Sequence, residues 1–369
     1  MATHGGARRV QDGESKPGEL LPLASPALPP DHECAGSAAL RYRAGVLKTA
    51  WWSPLDAVHQ LDTIPWLHYP AMASLEPNIR RVLDILIPQI HARRKSTPQP
   101  IILGITGLQG SGKSTWASKI VSLLTNEQHL NTVTISLDDL YKTHADLVSR
   151  RDRDPENKLY RTRGQPGTHD EQLAGRFFNL LRDYQGGEDL RIPSFDKSKF
   201  NGDGDRAPKE EWPVITTKPD VVVFEGWCVG FRPLPEADVE QSYRLAKERK
   251  LVVNTPAQHQ LAHLLEVNDS LRRYCDTFMG PQHFDFMIHI DTDDIRNVFT
   301  WRLQQEHRLI EAKGTGMTDD QVRAFIGGYM PGYELYLDGL RAGFFGGESG
   351  RQIRVVLNNE REVEKMEQL

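Results

Sequence analysis

Cysteine is scarce. Only Cys34, Cys228 and Cys275 occur in 369 residues. An odd number with no C-x-x-C pair excludes a disulfide framework and a cysteine-based zinc knuckle, and it fits a reduced, intracellular compartment. Long apolar runs are missing, so no membrane partner is expected. Basic excess is missing as well: 45 Lys and Arg against 50 Asp and Glu give a net charge of −5, which argues against nucleic acid as a partner. No internal repeat occurs. His169 has no second His or Cys at metal-ligand spacing. What is left, 38% hydrophobic and 26% charged, suits a soluble globular chain, long enough for one large α/β domain or two small ones.

The organising stretch is Gly107 to Thr115, which fits the Walker A pattern G-x-x-x-x-G-K-S/T. A short apolar run of strand character, Ile101 to Thr106, precedes it. A helix is predicted to follow over Trp116 to Leu124, burying Ile120, Val121, Leu123 and Leu124. Strand, glycine loop and helix together are the context a P-loop needs. Gly107, Gln109, Gly110, Ser111, Gly112, Lys113, Ser114 and Thr115 are therefore candidate nucleotide contacts. Glycines let several N–H groups converge on one phosphate, and the helix N-terminus adds partial positive charge. Lys113 suits the β- and γ-phosphates and Ser114 suits Mg²⁺, so the cofactors expected are ATP and Mg²⁺.

Around this centre, residues 1–71 read as an extension, disordered at its proline-rich start and holding Trp51, Trp52 and Trp66 further on. Its acidic residues argue against a mitochondrial presequence, so cytoplasmic is the expected location, with mitochondrial as the alternative. Residues 72–369 read as the catalytic domain. A helix capped by Ser74 is predicted, with Ile79, Val82, Leu83, Leu86 and Ile90 apolar. Strands are predicted at Thr132–Leu137, Asp220–Trp227, Phe284–Asp291 and Ile353–Leu357, the second as a central parallel strand. Glu171–Tyr184 reads as an amphipathic helix with Leu173, Phe177, Leu180 and Leu181 on one side, and Glu236–Asn254 as a charged surface insertion. A long helix over Asp293–Lys313 ends at Gly314–Gly316, and Thr318 with Gln321 is placed as a capping box for the next. The fold class is α/β: a three-layer α/β/α P-loop fold with a mainly parallel sheet and a helical lid.

Ligands of open α/β sheets sit beyond the carboxyl ends of strands. That places Asp138, at the end of the strand after the P-loop helix, near the phosphates as a base and Mg²⁺ ligand. Asp139 is its weaker twin, on Mg²⁺ through water or on substrate. Glu225, ending the most apolar strand, is a Walker B candidate for Mg²⁺. Arg302 and Arg308 are candidate lid arginines, against the plainer reading of an Arg302–Glu306 helix salt bridge. Two polar loops, 161–170 and 194–206, suit an anionic, hydroxylated small-molecule substrate. Arg161, Arg163, Lys197 and Arg206 are cations for a carboxylate, and Thr168, His169, Asp170 and Asp196 can hydrogen-bond hydroxyls. Tyr141, closing the Asp138–Asp139 segment, joins the substrate contacts. A GTPase switch would want N-K-x-D, and the nearest string, Asn157 to Tyr160, lacks the Asp.

Seven segments carry a family resemblance: Gly104–Thr115, Ser136–Tyr141, Arg163–Asp170, Ile192–Arg206, Val221–Phe231, Asn297–Asp319 and Phe325–Tyr336. With GQPGTHD, FDKS before GDGDR, and WRLQQEH among them, the chain resembles the D-glycerate 3-kinase family, in particular fungal members described as probable ATP-dependent kinases. That family stands within the P-loop kinases that include phosphoribulokinase and uridine kinase. The resemblance implies transfer of the γ-phosphate of ATP to a hydroxyl of D-glycerate, giving 3-phosphoglycerate. It implies ATP·Mg²⁺ on Lys113 and Ser114, Asp138 as base, Glu225 as the Walker B acid and the Trp301–Arg308 helix as lid. Another small alcohol or a nucleoside as acceptor, or a regulatory NTPase, are the alternatives.

Overall fold

Seven consecutive buried residues form strand β1 (Ile101–Gly107). The computed structural model describes residues 75–346 and 349–369. The boundary at 71/72, the Ser74 cap, Cys34 and the tryptophans of the extension lie outside them. Helix α1 (Leu75–Ser96) precedes β1 and buries Ile79, Val82, Leu83, Leu86 and Ile90, the predicted stripe. Helix α2 (Lys113–Asn126) follows the P-loop and returns to β2 (Thr132–Ser136). A 3₁₀ turn (Leu137–Leu140) and α3 (His144–Arg153) lead to α4 (Glu171–Asp183). Four two-residue strands come next: β3 (Leu190–Arg191), β4 (Phe195–Asp196), β5 (Asp205–Arg206) and β6 (Val214–Ile215). They pair as two small ribbons, β3 with β6 and β4 with β5. Strand β7 (Val221–Gly226), α5 (Glu236–Lys247), α6 (Leu261–Tyr274) and β8 (Phe286–Asp291) complete the middle of the chain. The C-terminal part holds α7 (Asn297–Lys313), α8 (Asp319–Gly327), α9 (Met330–Arg341), β9 (Gln352–Leu357) and β10 (Val363–Gln368).

The main sheet runs β10-β9-β8-β1-β7-β2, parallel throughout except for β10 against β9. Its inner strands β1, β7 and β8 are buried along their whole length, so helices cover both faces. The continuous apolar run Val221–Phe224 is what lets β7 lie between β1 and β2. Packing on it is aromatic: Phe178 of α4 sits 4.8 Å from Phe224, and Phe284 stacks on Phe224 at 5.9 Å. Among the described residues no helix is long and apolar enough to cross a membrane.

Several elements differ from the expected pattern. Helix α4 buries Ala174, Gly175, Phe177, Phe178 and Leu181, whereas Leu180 is 62% exposed. The stripe is centred on Phe177 and Phe178 because those rings meet the Phe224 cluster. The supposed surface insertion contains α5, anchored by buried Val239 and Ala246. The long helix begins at Asn297, after Asp294 has received the Arg296 N–H in a turn. Gly314, at φ 75°, ends it, and the Thr318–Gln321 capping box is present on α8.

Candidate active site

The phosphate cradle follows from backbone that only glycine adopts easily. Gly110 and Gly112 have φ of 79° and 87°. A Cβ on Gly110 would come within 2.8 Å of Trp301 Cβ, whereas one on Gly112 would meet nothing within 4 Å. Gly112 is the N-cap of α2 and offers no side-chain cap, so the first N–H groups of the helix are left for an anion. Ser111 Oγ is buried beside them and, among the described residues, unpartnered. Lys113 Nζ lies 3.3 Å from Glu225 Oε2, and Glu225 Oε1 accepts from Ser136 Oγ at 2.9 Å. This joins the ends of β1, β7 and β2. The loop is held from outside: the Tyr333 hydroxyl accepts the Gln109 N–H at 3.0 Å, and Arg361 Nε donates to the Gly110 carbonyl at 2.7 Å. Ser114 is half-buried and Thr115 exposed at the start of α2.

Next to the cradle, the 3₁₀ turn presents two carboxylates. Asp138 Oδ1 accepts from the Tyr141 hydroxyl at 2.9 Å and Oδ2 from Lys197 Nζ at 2.5 Å, while 33% of its side chain stays accessible. Burial alone would raise the Asp138 carboxyl, but the Lys197 ammonium in contact holds it far below the usual carboxylate range. Among the described residues Asp139 takes only a long N–H contact, from Phe195 at 3.4 Å. Burial, with the neighbouring Asp138 charge, pushes it up to about 7.

Loop 161–170 is stitched to this turn through a bridge between Tyr141 and His169, whose rings stack at 4.4 Å. The Tyr274 hydroxyl accepts the N–H groups of Gly167 at 2.7 Å and His169 at 2.9 Å. Its own proton therefore points to His169 Nδ1, 3.0 Å away. Burial lowers His169 to about 3, so the ring is neutral with its proton on Nε2, an atom that is buried and, among the described residues, unpartnered.

The structure divides the candidate residues into two groups. Asp138, Asp139, Tyr141, His169 and Lys197 are brought together, with the Arg163 guanidinium 5.8 Å from the Tyr141 ring centre and 5.4 Å from that of Phe195. Others build the loops. Thr168 Oγ1 donates to the Gln165 carbonyl, Asp170 caps α4 through the Leu173 N–H, and Asp196 closes a turn with Ser198. Arg206 donates to Asp170 at 2.8 Å and to the Tyr141 carbonyl at 2.9 Å; Arg163 donates to the carbonyls of Gly202 and Asp203. Arg161 is exposed. Arg302 pairs with Glu306 at 2.6 Å, and Glu306, 1% exposed, also accepts the Met317 N–H. The helix salt bridge is thus present, in a buried form that ties α7 to the entry of α8. Tyr274, Tyr333 and Arg361 were not anticipated. Each is remote in sequence from what it holds; Tyr333 stands inside the Phe325–Tyr336 segment, but nothing local there shows that its hydroxyl meets the P-loop.

Comparison with known proteins places this geometry in a family. Residues 102–232, from β1 through the end of β7, match the phosphoribulokinase/uridine kinase family. The chain is 39% identical over 269 residues to the uncharacterised kinase mug58 of Schizosaccharomyces pombe, covering 72% of this chain and 90% of that one. It is 36% identical over 246 residues to the probable ATP-dependent kinase TDA10 of Saccharomyces cerevisiae, covering 65% and 78%. To the chloroplastic D-glycerate 3-kinase of Arabidopsis thaliana it is 32% identical over 71% of this chain and 53% of that one. Among solved structures, D-glycerate 3-kinase from Cryptococcus neoformans superposes with a TM-score of 0.69 at 33% identity, covering 79% of this chain and 99% of that one. Similarity of this extent, on a sheet and P-loop of this form, means that the chain belongs to the phosphoribulokinase/uridine kinase family and is a P-loop kinase, a phosphotransferase with an alcohol group as acceptor.

Proposed function

We propose that the protein transfers the γ-phosphate of ATP to a hydroxyl of D-glycerate, giving 3-phosphoglycerate. The observation that carries this reading is the Lys197–Asp138 contact of 2.5 Å beside the phosphate cradle. An ammonium paired with the candidate base suits an acceptor that brings its own carboxylate. The names of relatives from Arabidopsis and Cryptococcus support the same substrate.

The residues then divide the work. The P-loop N–H groups and Lys113 hold the phosphates. Asp138, ionised at neutral pH, accepts the hydroxyl proton as the acceptor oxygen bonds to the γ-phosphorus and ADP departs. An incoming carboxylate competes with Asp138 for Lys197. As Lys197 turns to it, Asp138 loses its strongest counter-charge and becomes a better base. His169 Nε2–H is a neutral donor for an acceptor hydroxyl, and Arg163 a second cation. Arg302 and Arg308 are the lid arginines of this reading.

The site also suits Mg²⁺. Among the described residues no group of three or more His, Cys, Asp or Glu side chains makes a self-contained metal site. An ion shared with nucleotide oxygens needs fewer protein donors than a self-contained site, and Ser114, Glu225 and Asp138 would supply them. Held there with ATP, Mg²⁺ would supply positive charge against the phosphates.

Lys197→Met tests the assignment. The KM for D-glycerate should rise at least tenfold while that for ATP changes little. Equal change in both, in folded protein, would remove Lys197 from the acceptor site.

A further inference from the structure

At the amino ends of the strands, the edge opposite the P-loop, lies a cavity of about 310 Å³ that the kinase chemistry does not use. Arg93 at the end of α1, Arg182 at the end of α4 and Arg351 just before β9 line it, with His283 and Asp285. Asp285 is the one carboxylate among its lining residues, and it is already engaged. Its Oδ1 accepts from Arg93 Nε at 2.8 Å and its Oδ2 from the Ile102 N–H at 3.0 Å.

Arg182 and Arg351 make no ion pair among the described residues. The Arg182 guanidinium lies 2.7 Å from His283 Nδ1. A guanidinium only donates, so that nitrogen accepts and the imidazole is neutral. Asp285 and Asp183 lend Arg182 a favourable field without touching it, yet burial still lowers its pKa. Arg351 lies over the Phe345 ring, 3.8 Å from its centre, and burial lowers it too, against the favourable field of Asp285 and with the repulsion of Arg93. Partly buried cations without counter-ions are costly. An imidazole acceptor and an aromatic face each favour a guanidinium, yet neither carries the formal negative charge that would neutralise it. Three guanidinium groups, Arg93, Arg182 and Arg351, against the one carboxylate of Asp285 leave an excess of two positive charges by formal count among the lining residues, opening on a space of small-metabolite size.

We propose that this cavity is a second anion site, distinct from the phosphate cradle, which binds the dianionic phosphoryl group of free phosphate or of a small phosphate monoester. Arginine forks match phosphate oxygens bidentately, and a dianion balances the charge that Asp285 leaves.

The test is calorimetric titration at low ionic strength of full-length protein saturated with Mg²⁺ and a non-hydrolysable ATP analogue, so that the cradle is filled. Inorganic phosphate and phenyl phosphate are the two probes. A saturable site for phosphate is expected in wild type. Arg182→Gln and Arg351→Gln should each weaken it at least tenfold, whereas Lys197→Met should leave it unchanged. Phenyl phosphate binding with the same arginine dependence would mark a site for esters; binding of phosphate alone, a site for the free ion. Should Arg182→Gln not fold, Arg351→Gln carries the comparison. Failure of the filled wild-type protein to bind either probe, or binding unaffected by Arg351→Gln, would overturn the proposal. Neither outcome touches the acceptor assignment, which is read from turnover.

Discussion

Asp138 and Asp139 are neighbours in sequence with opposite electrostatics. Lys197 holds Asp138 ionised by contact, whereas Asp139, which the same ammonium reaches only through its field, is pushed up to about 7 by burial. Asp138→Asn keeps the shape and the Tyr141 contact but cannot take a proton. Turnover should fall about a hundredfold or more with ATP affinity retained. A mild effect there beside a crippling one in Asp139→Asn would exchange their roles. Asp139 also makes a pH prediction. Its folded pKa of about 7 exceeds the unfolded value of about 3.9, so the folded state binds the extra proton. Stability from this group is therefore lost as pH rises through that window, and the loss is complete above about 7. Asp139→Asn should raise the melting temperature relative to wild type more at pH 8 than at pH 5. An equal difference at both pH values would contradict the burial of this carboxyl.

Among the elements, the β9–β10 hairpin is the one whose position says most. Its turn residue Arg361, at φ 65°, reaches the Gly110 carbonyl, the Trp301 carbonyl and Gln304, while Trp301 Nε1 donates to the Asn359 carbonyl. The hairpin thus joins the P-loop to the first turns of α7. Arg361→Ala should loosen both and raise the dissociation constant for ATP about tenfold, the loss of about 1.4 kcal/mol. Unchanged nucleotide affinity would reduce the hairpin to a sheet edge. Strand β10 could not be read from Val363–Gln368, where an edge strand with one exposed side shows no clean alternation. Helix α9 carries Pro331 and Gly332 in its first turn, residues that weaken any helical signal there although proline is at home in a first turn. By contrast β1, β7 and β8 were legible, because strands buried on both faces must be apolar throughout.

For the whole molecule, local chemistry and tertiary convergence separate what could be read from what could not. The P-loop glycines and the acids ending β2 and β7 stand at strand ends, so order along the chain fixes their place. Which loop residues gather at Asp138 depends on contacts across the fold. Tyr274 orienting His169, and Arg206 turned to Asp170, are set by side-chain geometry that no spacing encodes. The account as a whole rests on the acceptor. Purified protein with Mg·ATP should convert D-glycerate to 3-phosphoglycerate, followed as ADP release and by the position of the new phosphate. Glycerol should react weakly, since it leaves Lys197 without a carboxylate, and uridine weakly as well. D-Glycerate left untouched while another alcohol is phosphorylated would keep the kinase and contradict the substrate.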